Sequence, residues 1–132
     1  MKLDLNCIRD TLFVLEENLV LNDDLDFRTL DVHEICEFPQ MKAYSLSEIA
    51  YTLIILEEAG FIKTTCGSNL IEYMDIVRLT YEGHRFLDTI RPTSTWDKIY
   101  SISEKTGLKS ISTIMEIADI LLPDTIKSAI QS

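Results

Sequence analysis

The chain has 132 residues, of which 46% are hydrophobic, and its net charge is −10. This length and composition are typical of one folded domain, or of a small domain with a docked tail. The negative charge disfavours binding to nucleic acids and to anionic membranes, because both carry charge of the same sign.

The N-terminal third predicts two helices and holds most of the acidic residues. Residues 4–18 predict a first helix with Asp4 as its N-cap. A short strand can follow near Leu30, and the spacing of Asp31 and Glu34 is that of a capping box that opens a second, short helix. Residues 1–41 carry ten acidic and three basic side chains. The carboxylates between residues 16 and 26 belong either to a solvated helix end or to a patch that docks on a basic partner.

The sequence "SLSEIAYTLIILEEAG" predicts a third helix, which begins at a capping box formed by Ser45 and Glu48 and ends at Gly60. Successive helical residues are rotated by about 100°. That rotation assigns two opposite faces. The core face consists of Leu46, Ile49, Ala50, Leu53 and Leu56, and the outward face of Ser47, Glu48, Tyr51, Thr52 and Ile55.

A hairpin and another helix follow. Residues 61–65 and about 72–79 predict two strands, joined by the turn sequence "CGSN", in which Gly67 and Asn69 can adopt positive φ. Thr80 is placed to cap the next helix, which Pro92 ends. Its predicted core contacts are Phe86, Leu87 and Ile90.

The C-terminal residues predict a helical extension. One helix starts at Ser94 or Thr95 and ends at Gly107; a second starts at Ser110 and ends before Pro123, which opens a last short segment. The second helix is apolar on nearly all sides, so we expect it to be buried on several sides, against the domain or against a second copy. The predicted organisation is a domain of residues 1–92 and an extension of residues 93–132.

The segment "IAYTLIILEEAGFIK", residues 49–63, resembles the third helix and first wing strand of many bacterial winged-helix regulators. The predicted order of helices and strands is also that of a winged helix-turn-helix domain. We therefore expect an α+β fold, mostly α, with a winged helix-turn-helix domain and a helical C-terminal extension.

A narrower resemblance covers nearly the whole chain. The segments "YSLSEIAY" and "LTYEGHRFL" are similar to a family of short proteins from Gram-positive bacteria and their phages, the domain of unknown function numbered 2513. Thr52 departs from that pattern, because its position is often histidine in the relatives. The resemblance implies a winged-helix fold and a mobile-element context, and it implies no reaction.

The third helix is unusual for a DNA reader because residues 45–60 contain no lysine or arginine. Phosphate contacts by basic side chains supply most nonspecific DNA affinity. Apolar and aromatic residues on the outward face instead predict a protein contact. The expected contact face consists of Ser47, Tyr51, Thr52, Ile54 and Ile55. We expect a noncatalytic regulator or adaptor of bacterial or phage origin that contacts another protein or itself as a homodimer.

The alternative is a dimeric DNA-binding transcriptional regulator. Two subunits could bring together the basic side chains of Lys42, Lys63, Arg78 and Arg85.

Catalysis and metal binding have little support in the sequence. His33 and Cys36 could share a helix face, yet a nucleophile needs a base and an orienting group within reach. The cysteines and histidines lack the close paired spacings of structural zinc sites. We expect no enzyme activity, no cofactor and no metal. With three scattered cysteines and no long apolar run, we expect a cytoplasmic protein without a membrane span.

Overall fold

The computed structural model describes residues 2–66 and 68–131, which form two compact units, Met1–His84 and Arg85–Ser132. As predicted, the fold is α+β and mostly helical. The described residues form a three-stranded antiparallel sheet. The division between the units falls inside a helix, whereas the predicted boundary lay between residues 92 and 93.

Among its described residues, the first unit contains three helices, three strands and short 3-10 turns, and it shares a fourth helix with the second unit. The helices are α1 (Leu5–Asn18), α2 (Val32–Cys36), α3 (Leu46–Glu58) and the shared α4 (Tyr81–Ile90); the strands are β1 (Leu30–Asp31), β2 (Ile62–Thr64) and β3 (Asp75–Leu79); the 3-10 segments are Pro39–Met41 and Ser68–Tyr73. The sheet order is β1-β3-β2. The central strand β3 therefore pairs with both the N-terminal strand β1 and the preceding strand β2.

The predicted helix caps of the first unit are confirmed. The carboxylate of Asp4 accepts a hydrogen bond from the backbone N–H of Cys7 at 3.1 Å. Both capping boxes are complete, with Asp31 and Glu34 at the start of α2 and Ser45 and Glu48 at the start of α3. These side chains satisfy backbone N–H groups that have no partner within the helix, which explains why short polar motifs locate the helix starts.

Strand β3 is shorter than predicted and contains a bulge. Residues 68–73 form two 3-10 turns separated by a kink at Leu70, so the strand begins at Asp75 and not near residue 72. Lys63 lies opposite Arg78 and Thr64 opposite Ile76, which leaves Val77 as an extra residue on β3. A bulge changes the direction of the side chains that follow it. The turn predicted at Gly67 lies outside the described residues.

The second unit contains α5 (Thr93–Thr106) and α6 (Ile111–Gln131), which pack against each other. Gly107 has a φ of +75° and ends α5 as predicted, whereas α5 begins at Thr93, earlier than expected. The prediction that Pro123 separates two helical segments is wrong, because α6 continues through this residue. Pro123 is exposed, so water can bind the carbonyl group that loses its N–H partner.

Within the described residues of this chain, the apolar side chains of α6 are buried along one side, and burial against a second copy stays a prediction. Ile111, Ile114 and Ala118 are buried, and they form a single stripe. Ile120 and Ile130 are 75% and 79% exposed, respectively. One face of α6 therefore supplies the core of the second unit, and its C-terminal half presents isoleucines to solvent.

Candidate functional site

The candidate site is the outward face of α3, which packs its other face against α1 and α2. Ile49, Leu53 and Leu56 are fully buried and fix the helix in the core of the first unit. Gly60 has a φ of +79° after the last turn and directs the chain into β2. The orientation of the outward side chains is therefore set by the buried ones.

Four of the five predicted contact residues keep some exposure. Ser47 is exposed in the first turn, and Tyr51, Ile54 and Ile55 are half-buried. Their spacing places one aromatic and two aliphatic side chains next to each other on the helix. Whether this face contacts a partner stays a prediction.

The prediction that Thr52 points outward is wrong. Its side chain is 2% exposed, and its hydroxyl donates a hydrogen bond to the carbonyl oxygen of Glu48 at 2.9 Å. The same hydroxyl lies 3.3 Å from Sγ of Cys7 in α1. Ile49, Thr52, Leu53 and Leu56 follow the i, i+3, i+4, i+7 spacing of a core stripe. Because α3 packs against α1, its buried stripe includes Thr52, which was predicted to face outward.

Leu46 was assigned to the core and is instead 48% exposed. It is the first helical residue after the cap at Ser45, ahead of the first fully buried position at Ile49. It therefore adds apolar surface to the exposed N-terminal end of α3.

The charged residues of α3 are all acidic. The carboxylate of Glu48 accepts a hydrogen bond from the backbone N–H of Ser45 at 3.1 Å, so this group is held at the N-terminal end of the helix. Glu57 and Glu58 lie in the last turn. This arrangement gives the helix a negative surface, which repels phosphate.

The four predicted basic contacts differ in the charged side chains that lie near them. Lys42 pairs with Glu37 at 3.3 Å, and in the second unit Arg85 lies 4.0 Å from Asp119. Lys63 and Arg78 are exposed and lie directly opposite each other on β2 and β3. Nη1 of Arg78 donates to the carbonyl oxygen of Leu79 at 3.1 Å. The hairpin therefore brings two of the four cations together.

The surroundings of Cys7 and Cys36 disfavour the thiolate form of these two side chains. Burial is the main cause that raises the pKa of the Cys7 and Cys36 thiols, so they stay protonated at neutral pH. Nε2 of His33 instead lies 3.0 Å from Oε1 of Glu72, and this contact raises the pKa of His33.

Within residues 2–66 and 68–131, no three His, Cys, Asp or Glu residues are arranged to hold a metal ion. No helix in that part of the chain could span a bilayer.

One feature of the first unit was not predicted from the sequence. Large apolar side chains lie among the carboxylates near residues 23–26. Leu25 is the non-glycine residue with positive φ in the described chain, at +65°, and its side chain is 77% exposed. No local sequence motif marks a leucine for this conformation, so only the structure reveals it.

These features define a small α+β protein with a three-stranded antiparallel sheet and a helical C-terminal unit. The chain belongs to the family described as "Hypothetical protein (DUF2513)", which matches residues 2–109. An "Uncharacterized protein" of Haemophilus influenzae is 30% identical over 76 residues, which are 56% of this chain and 64% of that protein. No solved structure matches the chain. The function is therefore argued from the surface itself.

Proposed function

We propose that the protein is a noncatalytic regulator or adaptor, of bacterial or phage origin, that acts through protein–protein contacts on a scaffold of winged-helix type. The scaffold assignment is supported by the order α1-β1-α2-α3-β2-β3 and by the sheet order β1-β3-β2. In such a scaffold, α3 is the helix that a DNA-binding member would insert into the major groove.

The observation that carries the proposal is the composition of the α3 surface. The helix has no lysine or arginine, and its accessible side chains include Tyr51, Ile54 and Ile55. Tyrosine and isoleucine bury apolar surface against a protein partner at little entropic cost. Binding to the phosphates of DNA, by contrast, requires cationic side chains. The acidic residues Glu57 and Glu58 at the helix end oppose a polyanion further.

The raised pKa values of Cys7 and Cys36 support a noncatalytic role. Cys7 lies in the first turn of α1, where the helix N-terminus favours a thiolate, but burial still raises the pKa of its thiol.

A capture experiment tests the α3 face. Wild-type protein and the Tyr51→Ala variant serve as bait in lysates of bacterial cells that carry the gene, with quantitative mass spectrometry as readout. Tyr81→Ala is the matched control, because Tyr81 is 77% exposed at the start of α4. We expect at least one protein whose capture falls about tenfold with Tyr51→Ala, a typical effect of removing an interface aromatic residue, and is unchanged with Tyr81→Ala. Equal capture by all three baits would refute the α3 face.

A second candidate, a dimeric DNA-binding regulator, is favoured by the pairing of Lys63 with Arg78. Like charges directly opposite each other on neighbouring strands are unfavourable, so an anion that binds between them would relieve the repulsion. A dimer would present two such pairs. The net charge of −10 and the acidic α3 weigh against this candidate, and DNA-binding measurements at two salt concentrations test it.

A further inference from the structure

Residues 19–28, the loop between α1 and β1, carry a concentration of exposed apolar side chains. Val20, Leu21, Leu25 and Phe27 are 48%, 52%, 77% and 44% exposed, respectively. Large apolar side chains that are exposed together mark interaction sites more often than isolated ones do. We name this segment the acidic loop, because Asp23, Asp24 and Asp26 alternate with these apolar residues.

The acidic loop is held in shape by its own hydrogen bonds. The backbone N–H of Arg28 donates to the carbonyl oxygen of Val20 at 2.8 Å, and that of Asn22 donates to Asp26 at 2.9 Å. The side-chain oxygen of Asn22 accepts from the backbone N–H groups of Asp24 and Asp26, both at 3.0 Å. The loop is therefore ordered before it meets a partner, which lowers the entropic cost of binding.

Leu25 lies at the tip, in a conformation that favours glycine or asparagine. Its φ of +65° is unfavourable for a residue with a Cβ, and 77% exposure means that its side chain has no core contact to offset the strain. A glycine would satisfy the backbone equally well. The Leu25 side chain therefore does not stabilise the fold. Because it is exposed, it is accessible to a binding partner.

The aspartates define the chemistry of that partner. Asp23, Asp24 and Asp26 form no ion pair within the part of the chain that the structure describes, and Asp24 and Asp26 flank Leu25 in the sequence. Their charge disfavours anionic membranes and nucleic acids, which leaves proteins as the class that offers both an apolar pocket and cations. Complementary charge would also steer the encounter.

We propose that the acidic loop is a docking element that inserts Leu25 and Phe27 into an apolar pocket of a partner protein whose rim carries lysine and arginine. The inference rests on the protein-contact function proposed above, but it does not depend on the α3 face. It assigns a second contact surface and a partner chemistry, namely a basic protein surface.

Site-specific photo-crosslinking tests the docking element. Phe27 is replaced by p-benzoylphenylalanine, an aromatic analogue that reacts with C–H bonds of a bound partner, in bacterial cells that carry the gene. We expect a crosslinked protein whose modified peptide lies in an apolar pocket bordered by lysine or arginine. Absence of a crosslink, a crosslink to a second copy of this chain, or one to an acidic or uncharged surface would overturn the proposal.

Leu25→Gly separates docking from folding in the same background. The melting temperature should stay the same or rise, because glycine accepts the positive φ, while crosslink yield should fall about tenfold, as expected for loss of an anchoring side chain. Asp23→Asn/Asp24→Asn/Asp26→Asn should lower the yield and weaken its dependence on salt in lysate. Unchanged yield in these variants would contradict the proposal. A crosslink that survives Tyr51→Ala but not Leu25→Gly would support the loop even if the α3 face fails.

Discussion

The hydroxyl of Tyr44 donates a hydrogen bond of 2.6 Å to Oδ2 of Asp10, 34 residues earlier in the chain. This hydrogen bond joins α1 to the chain just before α3, and the side chains of Tyr44 and Asp10 are both half-buried. Since the acceptor is a carboxylate, the bond is of the stronger, charge-assisted kind. It therefore helps to fix α3 against α1.

Tyr44→Phe should lower the free energy of unfolding by about 1–2 kcal/mol, because it removes a hydrogen bond to a charged group that is only partly solvated. Urea denaturation measures this change. The control is Tyr73→Phe, since Tyr73 is 77% exposed and its substitution should change the free energy by less than about 0.5 kcal/mol. Equal effects of the two variants would show that the bond with Asp10 contributes no stability.

The same contact predicts a loss of stability at alkaline pH. Burial, and next the hydrogen bond and charge of Asp10, raise the pKa of the Tyr44 phenol above its ordinary value of 10.0. The folded chain keeps this proton where the unfolded chain loses it, so the contribution is present below pH 10.0 and is lost as pH rises further. Urea titrations at increasing pH should show a decline that Tyr44→Phe makes shallower. An identical decline in the variant would rule out Tyr44 as its source.

His33 and Glu72 predict a weaker pH dependence near neutrality. The hydrogen bond to Glu72 and then its charge raise the pKa of His33 above 6.5. The contribution to stability is thus fully present below pH 6.5 and disappears as pH rises through the raised pKa. NMR titration of the imidazole should show that Glu72→Gln lowers the pKa of His33, whereas Glu58→Gln leaves it unchanged. A pKa insensitive to Glu72→Gln would mean that the pair does not form in solution.

At Gly83, α4 lies so close to the backbone before β2 that there is no room for a Cβ. A Cβ at this position would overlap the carbonyl oxygen of Phe61, which is backbone and cannot rotate away. Gly83→Ala should therefore lower the free energy of unfolding by about 3 kcal/mol, despite the higher helix propensity of alanine. Gly60→Ala is the comparison, because it meets no atom and only the strain of φ +79° applies, at about 1 kcal/mol. A smaller loss for Gly83→Ala than for Gly60→Ala would contradict this packing.

Cys7 should be protected from alkylation in the native state. Its side chain has no exposed surface, and burial raises the pKa of its thiol, so reaction requires unfolding. Mass spectrometry after iodoacetamide treatment should find Cys66 and Cys36 modified before Cys7, since both keep some exposure. In urea, all three should react. Rapid native labelling of Cys7 would contradict the packing of Thr52 against it.

Local motifs predicted the parts of the fold that depend on local physics. Asp4, Asp31 and Ser45 locate helix starts because their side chains bond to backbone N–H groups within a few residues. The bulge at Val77 and the burial of Thr52 escaped prediction because each depends on a partner distant in sequence. Thr52 is buried by α1, and Val77 is displaced by the register of β2.

The candidate site was only partly predictable for the same reason. Helical periodicity gave the outward positions of Tyr51 and Ile55, since rotation along a helix needs no tertiary information. The pairing of Lys63 with Arg78 follows from strand register, and the exposure of Leu25 follows from a loop conformation. Neither leaves a local pattern that single-sequence reasoning can detect.

The most direct test of a protein-binding rather than a DNA-binding role is fluorescence anisotropy with a labelled pool of random-sequence duplex DNA, measured at low and at physiological salt. The proposed role predicts no binding at micromolar protein even in low salt, because α3 lacks cations. Binding in low salt that weakens steeply as salt rises, and that disappears in Lys63→Ala/Arg78→Ala, would contradict it and favour the DNA-binding regulator.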